Sequence, residues 1–127
     1  MVRHTLGDLQ FAIMAVLWAR GEATTSEVHE ALRAARGLAL TTIATMLRKM
    51  EDKGVVAHRS EGRQFVYRPA VTEAQVRRSM VSELVERIFG GDPKALVAHL
   101  VSEHEIDAEE LKDLRRRLRS GRKGGAG

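Results

Sequence analysis

The chain has 127 residues, 43% of them hydrophobic and 30% charged, and carries a formal charge of +4. This is the balance of one globular domain or two small lobes, not of a disordered chain. The absence of cysteine excludes disulfides, thiolate zinc sites and cysteine nucleophiles, and a pI near 10.0 points to an acidic partner such as nucleic acid or a membrane surface.

Near the start, Leu6, Leu9, Ile13, Val16 and Leu17 recur at helical spacing. Thr5 is placed to cap this helix, and Phe11, Met14 and Trp18 form a second apolar stripe on it. Arg20-Gly21 ends it. Ala23-Thr24 reads as a short extended piece, and Thr24 with Glu27 three residues on reads as a capping box. Val28, Ala31, Leu32 and Ala35 give the second helix its apolar face, and Gly37 stops it.

A third helix is expected from about Leu40 to Lys53, with Gly54 at its stop position. Ile43, Met46, Leu47 and Met50 define its buried face. Thr41, Thr45 and Arg48 point the other way, with Thr42 and Lys49 on the flank. Two helices joined by a short Gly-containing connection make a helix-turn-helix. Strands are predicted at Val55–Ser60 and Gln64–Arg68, around a turn at Glu61-Gly62, with Phe65 and Tyr67 on one face and Pro69 ending the second strand. A hairpin directly after a helix-turn-helix is a wing.

Thr72 to Gln75 is another capping box, opening a helix to about Phe89. Gly90-Gly91 break it, and Asp92-Pro93 start the next helix. Asp107 through Glu110 cap a last helix bearing Leu111, Leu114 and Leu118. From Ser120 the composition predicts disorder. The reading is mainly α with a small β-hairpin wing. It places a winged helix-turn-helix domain at 1–71, a helical dimerisation domain at 72–119 and a disordered basic tail at 120–127.

A lobe as small as 72–119 rarely closes a core alone. Val76, Met80, Leu84, Ile88, Leu96, Leu100, Leu111, Leu114 and Leu118 therefore cover either the N-terminal lobe or a second copy of the chain. The N-terminal lobe has enough apolar positions to close itself, which favours the homodimer. The exposed face of the third helix carries threonines and bases and no acid until Glu51. Threonine hydroxyls reach base edges or phosphates, and arginine and lysine serve guanine edges or phosphates. A solvated helix face would carry similar residues. Arg59, Arg63 and Arg68 on the hairpin favour double-stranded DNA.

The ordered set of these motifs resembles the BlaI/MecI/CopY repressors, the penicillinase-repressor family. The resemblance rests on Leu6-Gly7-Asp8-Leu9 with Ile13-Met14 and Val16-Leu17-Trp18, on Glu27 to Leu32, and on Leu40 to Thr45 with Leu47, Arg48 and Lys53-Gly54. It extends through Gly62-Arg63 with Phe65, Tyr67 and Pro69, then Phe89 to Pro93 and Ala95-Leu96-Val97. It implies a homodimeric repressor on palindromic operators, often with TACA/TGTA half-sites; a cytoplasmic location fits the absence of cysteine, which a secreted protein can share. Thr41, Thr42, Thr45, Arg48 and Lys49 would then face the major groove, and Arg63 the wing contact. It further implies a membrane sensor peptidase that signals a beta-lactam, with the repressor cut in its dimerisation lobe. Two departures stand out. The C-terminal cysteine cluster of the copper-responsive branch is absent, and His99-Leu100 stands where the best-known cleavage site is Asn-Phe.

Other sites read as ordinary. His99 and Glu103, four apart, could share a metal with His104 nearby, but no third ligand at the correct angle is evident. His29, flanked by two glutamates, reads as a surface or partly buried helix residue. No phosphate loop or serine elbow occurs, so no catalytic residue, metal or cofactor is expected. Lys112, Arg115, Arg116, Arg117, Arg119, Arg122 and Lys123 form a basic end, read as a solvated last helix or as a source of non-specific phosphate contacts. Uncharged runs such as Gly37–Leu47 fall far short of the roughly 18 residues of a membrane span. Neither membrane insertion nor a signal peptide is expected. The alternatives to the repressor are a winged-helix regulator that senses a ligand directly, and a winged-helix module that binds protein.

Overall fold

The structure, a computed structural model, describes residues 6–124. In chain order the elements are α1 (Asp8–Arg20), β1 (Ala23–Thr24), α2 (Thr25–Arg36), α3 (Leu40–Asp52), β2 (Val56–Glu61), β3 (Gln64–Pro69), α4 (Glu73–Ile88), α5 (Pro93–Glu103) and α6 (Ala108–Gly124). The chain divides into two units, the first ending at Ser82 and the second beginning at Glu83, within α4.

In the first unit, α1 begins at Asp8 with Gly7 in the N-cap position, where no side chain caps the helix; Thr5, the expected cap, lies outside the described residues. The predicted box at α2 is closed in both directions, with Glu27 N–H donating to Thr24 Oγ1 (3.1 Å) and Thr24 N–H donating to Glu27 Oε1 (2.8 Å). The three strands form an antiparallel sheet in the order β1-β3-β2. Ala23 pairs with Tyr67, and the hairpin closes with Glu61 opposite Gln64. Its two-residue loop begins at Gly62, whose φ of +61° only glycine adopts without strain and suits a type II′ turn.

The core of this unit draws on every element. Ile13, Met14 and Leu17 of α1, Val28 of α2 and Ile43, Leu47 and Met50 of α3 are buried with Ala23, Val55, Val56 and Tyr67. The steps from Ile43 to Leu47 and on to Met50 are close to whole helical turns, which places all three on one side of α3. Burial pushes the Tyr67 phenol above its ordinary value, with the Glu51 carboxylate adding to the effect. The Trp18 indole N–H donates to the Val71 carbonyl (2.9 Å), which fastens the segment entering α4 to the end of α1.

This anchoring explains why the first unit extends past the boundary expected at residue 71. Val76 is fully buried, Met80 packs on the same core and Ser79 is 8% exposed. Val76 and Met80, expected on a face for a second copy, belong instead to the core of the first unit. Helical periodicity shows that a face is apolar but not what it faces.

In the second unit the Gly90-Gly91 break and the Asp92 cap form as the sequence predicts. Both glycines have positive φ, and Asp92 Oδ1 accepts from Lys94 N–H (3.0 Å). Asp107 and Glu110 close a reciprocal cap on α6. The helix then runs on to Gly124, where disorder is expected from Ser120. Arginine and lysine are good helix formers, and a single Gly121 does not stop a helix already propagating. Residues 125–127 of the expected tail lie outside the described residues.

Candidate nucleic-acid interface

α2 and α3 meet through Gly37-Leu38-Ala39. Gly37 takes a left-handed φ of +60° and its N–H donates to the Arg33 carbonyl, which ends α2 and turns the chain. His29 braces the turn, with its Nε2 2.8 Å from the Leu38 carbonyl oxygen. The histidine that looked ordinary in sequence thus holds the helix-turn-helix angle. Gln10 fixes α3 from the other side: its side-chain amide donates to the Met46 sulfur (3.2 Å) and accepts from Lys53 Nζ (3.0 Å).

With Ile43, Leu47 and Met50 inward, the opposite face of α3 is set. Thr41, Thr45 and Arg48 span about 60° of arc, with Thr42 and Lys49 beside them, and all five lie on the surface side of the helix. Arg48, Lys49 and Arg63 make no side-chain hydrogen bond or ion pair among the described residues. The start of α3 is also distinctive. Side chains cap α2, α4, α5 and α6, but Ala39 offers none to α3, whose first turn holds no acid. Its free N–H groups and the positive end of the helix dipole remain available to an anion.

The wing places Arg63 at the hairpin tip, exposed beside Gly62. Arg59, expected in the same basic set, is occupied instead. It donates to Glu22 Oε1 (2.8 Å) and to Glu61, and these bonds hold its guanidinium above its ordinary pKa. Phe65 and Tyr67 share a face as predicted but differ in burial, Tyr67 at 2% and Phe65 at 44%. Two features lay outside sequence reasoning. Glu51 at the end of α3 pairs with His58 of β2, and Phe65 stacks on the His58 ring at 4.1 Å. Seven residues separate Glu51 from His58 across a turn, so no local spacing rule brings them together.

Elsewhere, His99 packs against Phe89, with ring centroids 5.6 Å apart. Among the described residues no group of three His, Asp or Glu is placed to hold a metal ion, and no helix is long and apolar enough to cross a membrane. The arrangement can offer an uncapped helix end, hydroxyls, an amine and guanidinium groups to a polyanion with readable edges.

The sequence profile of the family described as penicillinase repressor matches residues 6–120. A transcriptional regulator BlaI of Mycobacterium tuberculosis is 37% identical over 115 residues, covering 89% of this chain and 82% of that protein. A penicillinase repressor of Bacillus licheniformis is 28% identical over 109 residues, covering 86% and 85%. The solution structure of the DNA-binding domain of the repressor BlaI superposes with a TM-score of 0.52 at 34% identity, covering 56% of this chain and 87% of that one. The monomeric Bacillus licheniformis BlaI, in complex with the blaP half-operator, gives 0.50 at 33% identity, covering 57% and 88%.

Proposed function

The chain belongs to the penicillinase repressor family and is a DNA-binding transcriptional repressor rather than an enzyme, and from that premise we propose that it acts as a homodimer on palindromic operator DNA. Each protomer lays α3 in the major groove, where Thr41, Thr42, Thr45, Arg48 and Lys49 meet base edges and phosphates. Arg63 at the wing tip takes a backbone phosphate. The observation that carries this reading is the exposed face of α3, whose cations Arg48 and Lys49 form no side-chain hydrogen bond or ion pair among the described residues and whose N-terminus lacks a side-chain cap. The BlaI neighbour in complex with a half-operator supports an operator duplex as the partner.

Dimerisation falls to the second unit, which includes the end of α4. Leu84, Ile88, Val97, Leu100, Leu114 and Leu118 are large apolar side chains left exposed there, more than a lone small lobe keeps in water. A second copy is the partner that also yields a two-fold reader for a palindrome. Relief of repression comes through a sensor-linked signal of the beta-lactam type, delivered by a membrane sensor peptidase. His99-Leu100, exposed on α5, stands at the position of the expected cut. The repressor works in the cytoplasm, where the operator is.

The test is selection of bound duplexes from a random pool by the full chain, with the mass of the complex measured on the enriched duplex. An enriched inverted repeat bound by two protomers is expected. No enriched sequence, with weak salt-sensitive binding alone, overturns the reading.

A further inference from the structure

The net charge of the protein sits on one helix. Between Ala108 and Gly124 there are seven Lys or Arg against three Asp or Glu; the rest of the chain carries fourteen of each. On α6, Lys112 precedes Arg115 and Arg116 by three and four residues, and these precede Arg119 by four and three, so the four share a face and form a strip. The four line one shallow recess of about 270 Å³. All are exposed, and none forms an ion pair among the described residues; Arg117, on another face, is the one that pairs with Asp113. Leu111, Leu114 and Leu118 run along a separate side of the same helix.

We propose that this strip is a second docking surface for duplex DNA, one that grips phosphates without reading bases. The proposal rests on the DNA-binding reading above but concerns a different unit of the chain. Like charges three and four apart repel and destabilise a helix, and Arg115 and Arg116 lie mid-helix, beyond the help of its negative end. A polyanion relieves both costs. The strip spans about 10 Å along the axis, the length of about three nucleotide steps on one strand. A membrane surface fits less well, because a helix lying in lipid buries its apolar side among the acyl chains, and the apolar side of α6, with Leu114 and Leu118, is the one given to the second copy of the chain above.

The test is a variant with Lys112, Arg115, Arg116 and Arg119 all changed to Gln, a good helix former, in the full chain, with helicity checked by circular dichroism. A control variant replaces Arg77, Arg78, Arg87 and Lys94 by Gln and loses the same charge elsewhere. Affinity is measured against salt for the selected duplex and for a scrambled duplex of equal length. The strip variant should bind the scrambled duplex about 10-fold more weakly or worse, with a salt slope shallower by about 1 for each phosphate that is no longer neutralised. Its preference for the selected over the scrambled duplex should persist. Unchanged affinity and slope overturn the proposal while leaving the α3 reading intact, and an equal loss in the control variant overturns it in favour of bulk charge. Vesicles with 30% anionic lipid, bound by the wild type and not by a strip variant that keeps its DNA affinity, overturn it in favour of a membrane surface. If the wild type binds neither duplex, the α3 reading fails as well.

Discussion

The imidazole of His58 lies 2.7 Å from the Glu51 carboxylate and ties the last turn of α3 to the first strand of the wing. The ring is also stacked on Phe65, so one side chain links helix, β2 and β3. Side chains about one-third exposed on both sides of the pair contribute little to stability. On the proposed reading, their effect is on the angle between α3 and the wing. Glu51→Gln is expected to change the free energy of urea unfolding by less than about 1 kcal/mol. It should weaken binding of the selected duplex several-fold while the salt slope holds, because every phosphate-binding cation stays in place. An unchanged affinity would show that the wing finds its position without the pair.

On the proposed reading, Arg48 and Arg63 divide reading from gripping. Arg48 projects from the exposed face of α3, where a bidentate contact to a base discriminates by about 1–3 kcal/mol. Arg48→Ala should therefore compress the ratio of selected to scrambled affinity. Arg63→Ala should weaken both duplexes alike and lower the salt slope by about 1. Fluorescence anisotropy titrations at several salt concentrations measure both quantities, and sedimentation should show the same oligomer for each variant. If Arg63→Ala changed the ratio and Arg48→Ala did not, the two roles would have to be exchanged.

What the sequence reveals here follows the range of the interaction. Thr24 with Glu27, Thr72 with Gln75 and Asp107 with Glu110 are three apart, and each closes as a cap. The exposed face of α3 follows from helical period once Ile43, Leu47 and Met50 are assigned inward. Arg59 reads as a free cation in sequence although Glu61, two residues on along the strand, also binds it; its other partner, Glu22, lies 37 residues away. Val76 reads as an interface residue because nothing local reveals that Trp18 pins Val71 against α1. The same limit hides the Glu51–His58 link, where a turn reverses the chain between the partners.

The leucines of α6 give the dimer proposal its own test. Leu114 and Leu118 are 51% and 64% exposed in the single chain, so shortening them leaves no cavity in it. Leu114→Ala with Leu118→Ala should leave the urea midpoint of the first unit in place and raise the dimer dissociation constant at least about 10-fold, since each buried leucine side chain is worth about 1.5–3 kcal/mol. Analytical ultracentrifugation over a concentration series measures this. An unaltered dissociation constant would move the interface to Leu84, Ile88, Val97 and Leu100.

The cap at α2 gives a prediction in pH. Glu27 is held below its ordinary value of 4.5, first by the bond its carboxylate accepts from Thr24 N–H and then by the Thr24 side chain, with Arg20 adding a smaller pull. A carboxyl whose folded value is depressed stabilises the fold above its unfolded value, and that contribution is lost as pH falls through the folded value. Glu27→Gln keeps an oxygen that can accept from Thr24 but removes the charge. The wild type should thus melt above Glu27→Gln at pH 7, and the gap should shrink as pH drops below 4.5. Thr24→Ala removes the other half of the box and should cost about 1 kcal/mol near neutral pH. Thermal unfolding followed by circular dichroism from pH 7 down to pH 3 checks the sign. A gap that widens in acid would mean that the protonated carboxyl caps α2 better than the carboxylate, which the positive end of the helix dipole forbids.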